Sequence, residues 1–119
     1  MAENIAYTAS IKPNQGQSQL ATGKIVFPAT AIVATDYIEV DVGFKPSYVR
    51  FENLTDRVGI EFFDGMTDNT CEKTAANGTK TLESANGGIT LTVNGFRVLQ
   101  NATLAAILAS KTCYWVAFA

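Results

Sequence analysis

The chain has 119 residues, nine cations against eleven carboxylates for a net charge of −2, 47% hydrophobic residues and no histidine. That apolar content excludes an intrinsically disordered chain, and nine dispersed cations leave no electrostatic footprint for nucleic acid. No apolar run reaches the roughly 18 residues of a membrane-spanning helix, so what remains is one domain's worth of material rich in Thr, Asn, Gly and β-branched residues.

Residues 1–23 read as an extended N-terminal arm. Ser10 to Gln19 is polar, with Ile11 and Leu20 as apolar anchors and Pro13 between them. Its alternatives are a frayed terminus and an arm that orders on a neighbouring subunit. A single β-sandwich domain is expected over residues 24–119. Lys24–Phe27 is a short strand that Pro28 breaks or confines to an edge, with Ala31–Ala34 as its continuation. Asp36–Val42 alternates Ile38, Val40 and Val42 with Glu39 and Asp41, the period of a strand with one buried side. After the connector Gly43-Phe44-Lys45-Pro46, Val49 and Phe51 oppose Tyr48, Arg50 and Glu52. Beyond the hairpin-sized link Asn53–Arg57, Val58, Ile60 and Phe62 oppose Gly59, Glu61 and Phe63. Pairing these two strands places Arg50 or Glu52 near Glu61 on a polar outer face, which Phe63 interrupts.

Residues 64–78 form a long loop with one short strand around Thr70–Thr74, and Thr79–Leu82 is another strand. Ile89–Val93 and Phe96–Gln100 flank Asn94-Gly95, the strongest short hairpin signal in the chain. Thr103–Ser110 places Leu104, Ile107 and Leu108 on one helical face with Asn101 or Thr103 as cap. It is either a short helix docked on the sandwich or a further apolar strand. Thr112–Phe118 is apolar on both faces, as in a central strand or one that meets another chain. Seven to nine short strands with frequent turns and no helical crossovers give an all-β antiparallel β-sandwich or jelly-roll-like barrel, with at most one short helix near 103–110.

No residue pattern spells out catalysis. Without histidine the commonest general base and metal ligand is missing, and no nucleophile or phosphate-loop motif is present. Asp64, Asp68 and Asn69 do not follow the ligand spacing of a calcium loop. Cys71 and Cys113 match no metal spacing, and with no signal peptide in the sequence they read as reduced thiols. The expectation is no catalytic, metal or cofactor-binding residue, and synthesis in the cytoplasm. Three Asn-x-Thr sequons at Asn53, Asn77 and Asn101 read as chance in so Asn- and Thr-rich a chain.

The run from Val42 through Gly43-Phe44-Lys45-Pro46 to Glu52-Asn53-Leu54-Thr55-Asp56, followed by Glu61–Met66, Gly88–Thr90, Asn94-Gly95-Phe96 and a terminal Tyr114-Trp115-Val116-Ala117-Phe118, resembles small all-β virion proteins of tailed bacteriophages. The resemblance covers about residues 36–119. It implies a structural protein at the capsid surface of the virion, made in the host cytoplasm. Within that setting a capsid decoration (cement) protein, often a homotrimer, clamps copies of the phage major capsid protein from outside, with no role for nucleic acid or membrane. A tail-fibre, spike or baseplate module, receptor- or glycan-binding, is the alternative. Interface candidates are Ile11, Pro13 and Leu20 on the arm, Phe63 and Met66 around the end of the fourth strand, and Trp115 on the last. A glycan-binding sandwich would use Tyr48, Phe63 or Trp115 as stacking platforms.

Overall fold

The computed structural model describes residues 19–29 and 36–119, so Ile11, Pro13 and the expected strand continuation Ala31–Ala34 lie outside the described residues. Nine strands appear among the described residues: β1 Leu20–Val26, β2 Tyr37–Asp41, β3 Tyr48–Asn53, β4 Val58–Phe63, β5 Cys71–Thr74, β6 Lys80–Glu83, β7 Ile89–Leu91, β8 Gly95–Leu99 and β9 Thr112–Phe118. They form two antiparallel sheets, a larger one in the order β1-β9-β3-β4-β5-β6 and a smaller one in the order β2-β8-β7. The all-β antiparallel sandwich expected from strand spacing is therefore present. The consecutive run β3–β4–β5–β6 in one sheet makes it a sandwich rather than a jelly roll, whose strands alternate between sheets.

Period-two patterning decides which side chains meet. Val49 and Phe51 of β3, Ile60 and Phe62 of β4, Cys71 of β5 and Cys113 and Ala117 of β9 are buried from the larger sheet. Ile89, Phe96 and Val98 close on them from the smaller one. The rings of Phe96 and Trp115 meet edge to face at 5.4 Å between the layers. Trp115 has room because Gly23 faces it across the β1–β9 ladder; a Cβ at Gly23 would stand 2.5 Å from the indole. Burial pushes both thiols up to about 12, and Cys71 and Cys113 are free.

Three expectations need correction. Leu20–Gly23, read as the end of the arm, belong to β1 of the larger sheet. The β7–β8 hairpin exists, but Val93 and Asn94 occupy its tip, between Thr92 and Gly95, whose N–H and carbonyl are 2.8 Å apart. Gly95 instead sits in β8 opposite Asp41, where a Cβ would run into the Val40 carbonyl oxygen. Close backbone approach, not turn geometry, is what that glycine provides.

The third correction is the segment near 103–110, which holds no helix. Asn101 starts as a cap should: its Oδ1 accepts from the amides of Thr103 at 2.8 Å and Leu104 at 3.3 Å, and its carbonyl accepts from Ala105 N–H at 2.9 Å. The turn then stops, because Ala105 and Ser110 adopt left-handed φ of 61° and 63°. Carbonyls that a helix would use internally are taken by side chains from the sheet: Ala105 O by Asn53 Nδ2 at 3.1 Å, Thr103 O by Lys73 Nζ at 2.6 Å and Ala106 O by Cys113 Sγ at 3.4 Å. Eight residues hold a helix poorly on their own. Tertiary contacts win and seat Leu104, Ala106 and Ile107 in the core as an irregular plug.

Asn53 is the pivot of that plug and the one buried polar side chain among the described residues. Its Nδ2 also donates to Asp56 Oδ2 at 2.9 Å and its Oδ1 accepts from Asp56 N–H at 3.2 Å, which shapes the Leu54–Arg57 hairpin. Asp56 in turn pairs with Lys111 at 3.3 Å, ahead of β9. Asn53→Ala leaves the half-buried Ala105 carbonyl without this donor and loosens the hairpin, and is expected to lower unfolding free energy by about 1–3 kcal/mol, read by urea denaturation. The two thiols are expected to resist a thiol-modifying reagent in native buffer and to react fully once urea unfolds the chain.

Candidate functional site

The outer face of the larger sheet carries the surface that stands out chemically. Register places Leu20 opposite Phe118, Phe118 opposite Tyr48 and Tyr48 opposite Phe63, so four apolar side chains form one row across β1, β9, β3 and β4. Leu20 is 57% exposed, Phe118 43% and Phe63 47%, with Tyr48 half-buried between the two phenylalanines. The Tyr48 ring lies 5.3 Å from Phe63 and 5.8 Å from Phe118. Adjacent strands stand about 4.8 Å apart, which makes the row roughly 14 Å long.

Beyond the row the same face is mainly polar, with Val26, Val116 and Leu82 as apolar exceptions. Arg50 donates to Glu52 through both Nε, at 2.7 Å, and Nη2, Lys80 pairs with Glu72 at 3.4 Å, and the Lys24 ammonium stands 5.9 Å from the Tyr114 ring centre. Arg50 sits directly opposite Glu61, as the alternation of β3 and β4 required. Gly59 leaves a shallow depression of about 300 Å³ among Arg50, Glu52, Arg57, Glu61, Thr74 and Lys80. An apolar strip with a mixed-charge border is the anatomy of a protein contact surface. Among the described residues no three His, Cys, Asp or Glu side chains come together as a metal-binding group. Asn69, weighed above as a loop ligand, instead accepts from Gly88 N–H at 3.3 Å and ties the loop to β7.

Tyr48 links the strip to its border. Its hydroxyl donates to Glu61 Oε2 at 2.8 Å. Burial first, then that hydrogen bond and the Glu61 charge, raise the phenol to about 12. The bond holds the ring between its two neighbours.

Of the interface candidates, Leu20 and Phe63 come together in this row. Met66 lies just behind it, half-buried against the core, with its Sδ accepting from Phe63 N–H at 3.2 Å and its own N–H donating to Phe63 O at 3.0 Å. Trp115 faces the opposite way, into the sandwich. Sequence reading missed Phe118 as a member of the surface and named Tyr48 only as a glycan-stacking platform, not as an interface candidate. Alternation puts both on an outer face, but only the pairing of β3 with β9, more than sixty residues apart in sequence, sets them side by side. No protein-family model, no curated protein and no solved structure matches the chain.

Because the folded state holds the Tyr48 proton more tightly than the ordinary phenol value of 10, its contribution to stability is complete below pH 10 and is lost as pH rises from 10 to 12. Tyr48→Phe is expected to remove that share of the alkaline loss. Melting temperature plotted against pH should fall less steeply for the variant than for the parent chain over this interval.

Proposed function

We propose that the protein is a non-enzymatic structural component of a tailed-phage virion, a capsid decoration (cement) protein. It works as a homo-oligomer, with a homotrimer as the expected form. Each copy sets the outer face of its larger sheet against the major capsid protein. The observation that carries this reading is the exposed row Leu20–Phe118–Tyr48–Phe63 on a rigid sheet. The virion setting comes from the resemblance in the Gly43–Asp56 and Tyr114–Phe118 segments.

A row this small gives a weak contact in one copy. Repetition on a lattice converts weak contacts into durable occupancy, because neighbouring copies raise the local concentration of every further contact. A net charge of −2 keeps repulsion between crowded copies small. Glycan stacking fits the same residues less well. The Tyr48 ring is tilted 48° to Phe63 and 36° to Phe118, so the rings offer a ridge where a sugar face needs a plane.

Purified protein is expected to co-sediment with phage heads and to raise their resistance to heat. Phe63→Thr with Phe118→Thr keeps β-compatible residues, so it should leave the far-ultraviolet spectrum unchanged while weakening head occupancy by about tenfold or more. Binding to tails alone, or undiminished occupancy by the double variant, overturns the reading.

A further inference from the structure

The sequence holds three Asn-Gly pairs, at Asn77-Gly78, Asn86-Gly87 and Asn94-Gly95. Such a pair can react with itself. The main-chain nitrogen of the glycine attacks Cγ of the asparagine before it, and a C–N bond forms. The Cγ–Nδ2 bond breaks, and the side-chain nitrogen leaves as ammonia, carrying the proton of the glycine N–H. Water then opens the cyclic imide at either carbonyl and leaves aspartate or isoaspartate. Asparagine and water have become an acid and ammonia, with nothing oxidised or reduced. Glycine is the favourable successor because it has no Cβ to obstruct the closing ring and its backbone is the least restricted. The dipeptide is the same in all three places, so the fold decides among them.

Two of the pairs are locked. Asn86 donates to Glu83 Oε1 through both its main-chain N–H and Nδ2, each at 3.1 Å. Gly87 is buried against Leu99, and Gly88 N–H donates to Asn69 Oδ1 at 3.3 Å. At the β7–β8 hairpin, the Asn94 carbonyl accepts from Val42 N–H at 2.8 Å and Gly43 N–H at 3.0 Å. Gly95 lies buried in β8 against the Val40 carbonyl. Closing an imide in either place turns the main chain through these contacts, and the tertiary structure opposes it.

Asn77-Gly78 is different. It lies in the turn between β5 and β6 with both residues exposed. Apart from its chain neighbours, nothing stands within 4 Å of where a Cβ on Gly78 would be. The Asn77 side chain is already folded back, since its Oδ1 accepts from Thr79 N–H at 3.0 Å. This Asx turn brings Cγ toward the Gly78 nitrogen and draws electrons from the atom to be attacked. One bond opposes closure, from Gly78 N–H to Ala75 O at 2.8 Å. It belongs to an exposed turn, where local opening costs least. Below it, Ala75 N–H to Thr79 O at 2.9 Å and the β5–β6 ladder hold the strands, so the turn can change without the sheet.

We propose that Asn77 is the site at which the folded chain modifies itself, passing through a cyclic imide with Gly78 to aspartate and isoaspartate, with water as co-reactant. The product carries an added negative charge at the β5–β6 turn, at the end of the larger sheet away from Phe63. The proposal does not depend on the function above.

The test keeps the folded protein for several weeks in mildly alkaline buffer, digests it and locates acid by fragment masses, with an unaged sample as baseline. Asn77 is expected to exchange amide for acid about fivefold faster, or more, than Asn86 or Asn94. Its peptide should split into separately eluting aspartate and isoaspartate forms. In urea, where the fold no longer discriminates, the three pairs should react at comparable rates. Asn77→Gln keeps an amide but lengthens the side chain by a methylene, which slows ring closure, so the folded variant should lose most of the total acid gain. Where that variant disturbs folding, the map of the parent chain decides the outcome. Acid appearing first at Asn86 or Asn94, equal rates at the three pairs in the folded chain, an Asn77 that reacts only in urea, or an undiminished total in a folded Asn77→Gln chain overturns the proposal.

Discussion

The fold depends on β9 being held along both sides. Seven residues from Thr112 to Phe118 pair with all of β1, and six of them pair with β3. Without that strand β1 has no neighbour in the described sheet, and β3 loses its partner on one side. The inner face of β9 contributes Cys113, Trp115 and Ala117 to the core or its border, and its outer face places Phe118 next to Tyr48. A strand apolar on both sides is thus the consequence of serving a core on one face and the exposed aromatic row on the other.

Such a strand must be delivered to its slot accurately, since a slip of one residue turns every side chain to the wrong face. The Asn53 network does this. It binds the β3–β4 hairpin to the plug that precedes β9, through Ala105 O, and Asp56 holds Lys111. Leu54 N–H to Thr112 O at 3.2 Å and Thr112 N–H to Thr55 Oγ1 at 3.1 Å then fix the first residue of β9 against the hairpin. At the far end Ser47 N–H meets Phe118 O at 2.7 Å. Buried polar groups fully satisfied by one geometry specify register in a way apolar packing alone does not.

Strand positions were legible wherever one side is wet and the other dry. The alternation of β2, β3 and β4 named the inward residues correctly, and the Arg50–Glu61 juxtaposition followed from local pairing. The segment at 103–110 was not legible, because helical spacing of Leu104, Ile107 and Leu108 is a local signal, and the contacts that defeat it come from Asn53, Lys73 and Cys113. The Asn94-Gly95 pair marked a real hairpin, yet its glycine answers to Val40 on another strand. For the candidate surface, Leu20 and Phe63 could be singled out as apolar residues in polar company. Their common row with Phe118 and Tyr48 depends on long-range register, which periodicity does not encode.

The row ends at β1, and this has a geometric consequence. Leu20 is at once the end of the aromatic row and the first residue of the outermost described strand of the larger sheet. The row therefore crosses the strands from that edge to β4, and every step of it is set by cross-strand register. A slip of β9 by one residue would put an alanine, Ala117 or Ala119, where Phe118 stands and would break the row at its second member. The polar ties that hold β9 in register thus hold the row together as well. An exposed apolar row is a hazard in an isolated β-protein; under the function proposed above, the assembly covers it.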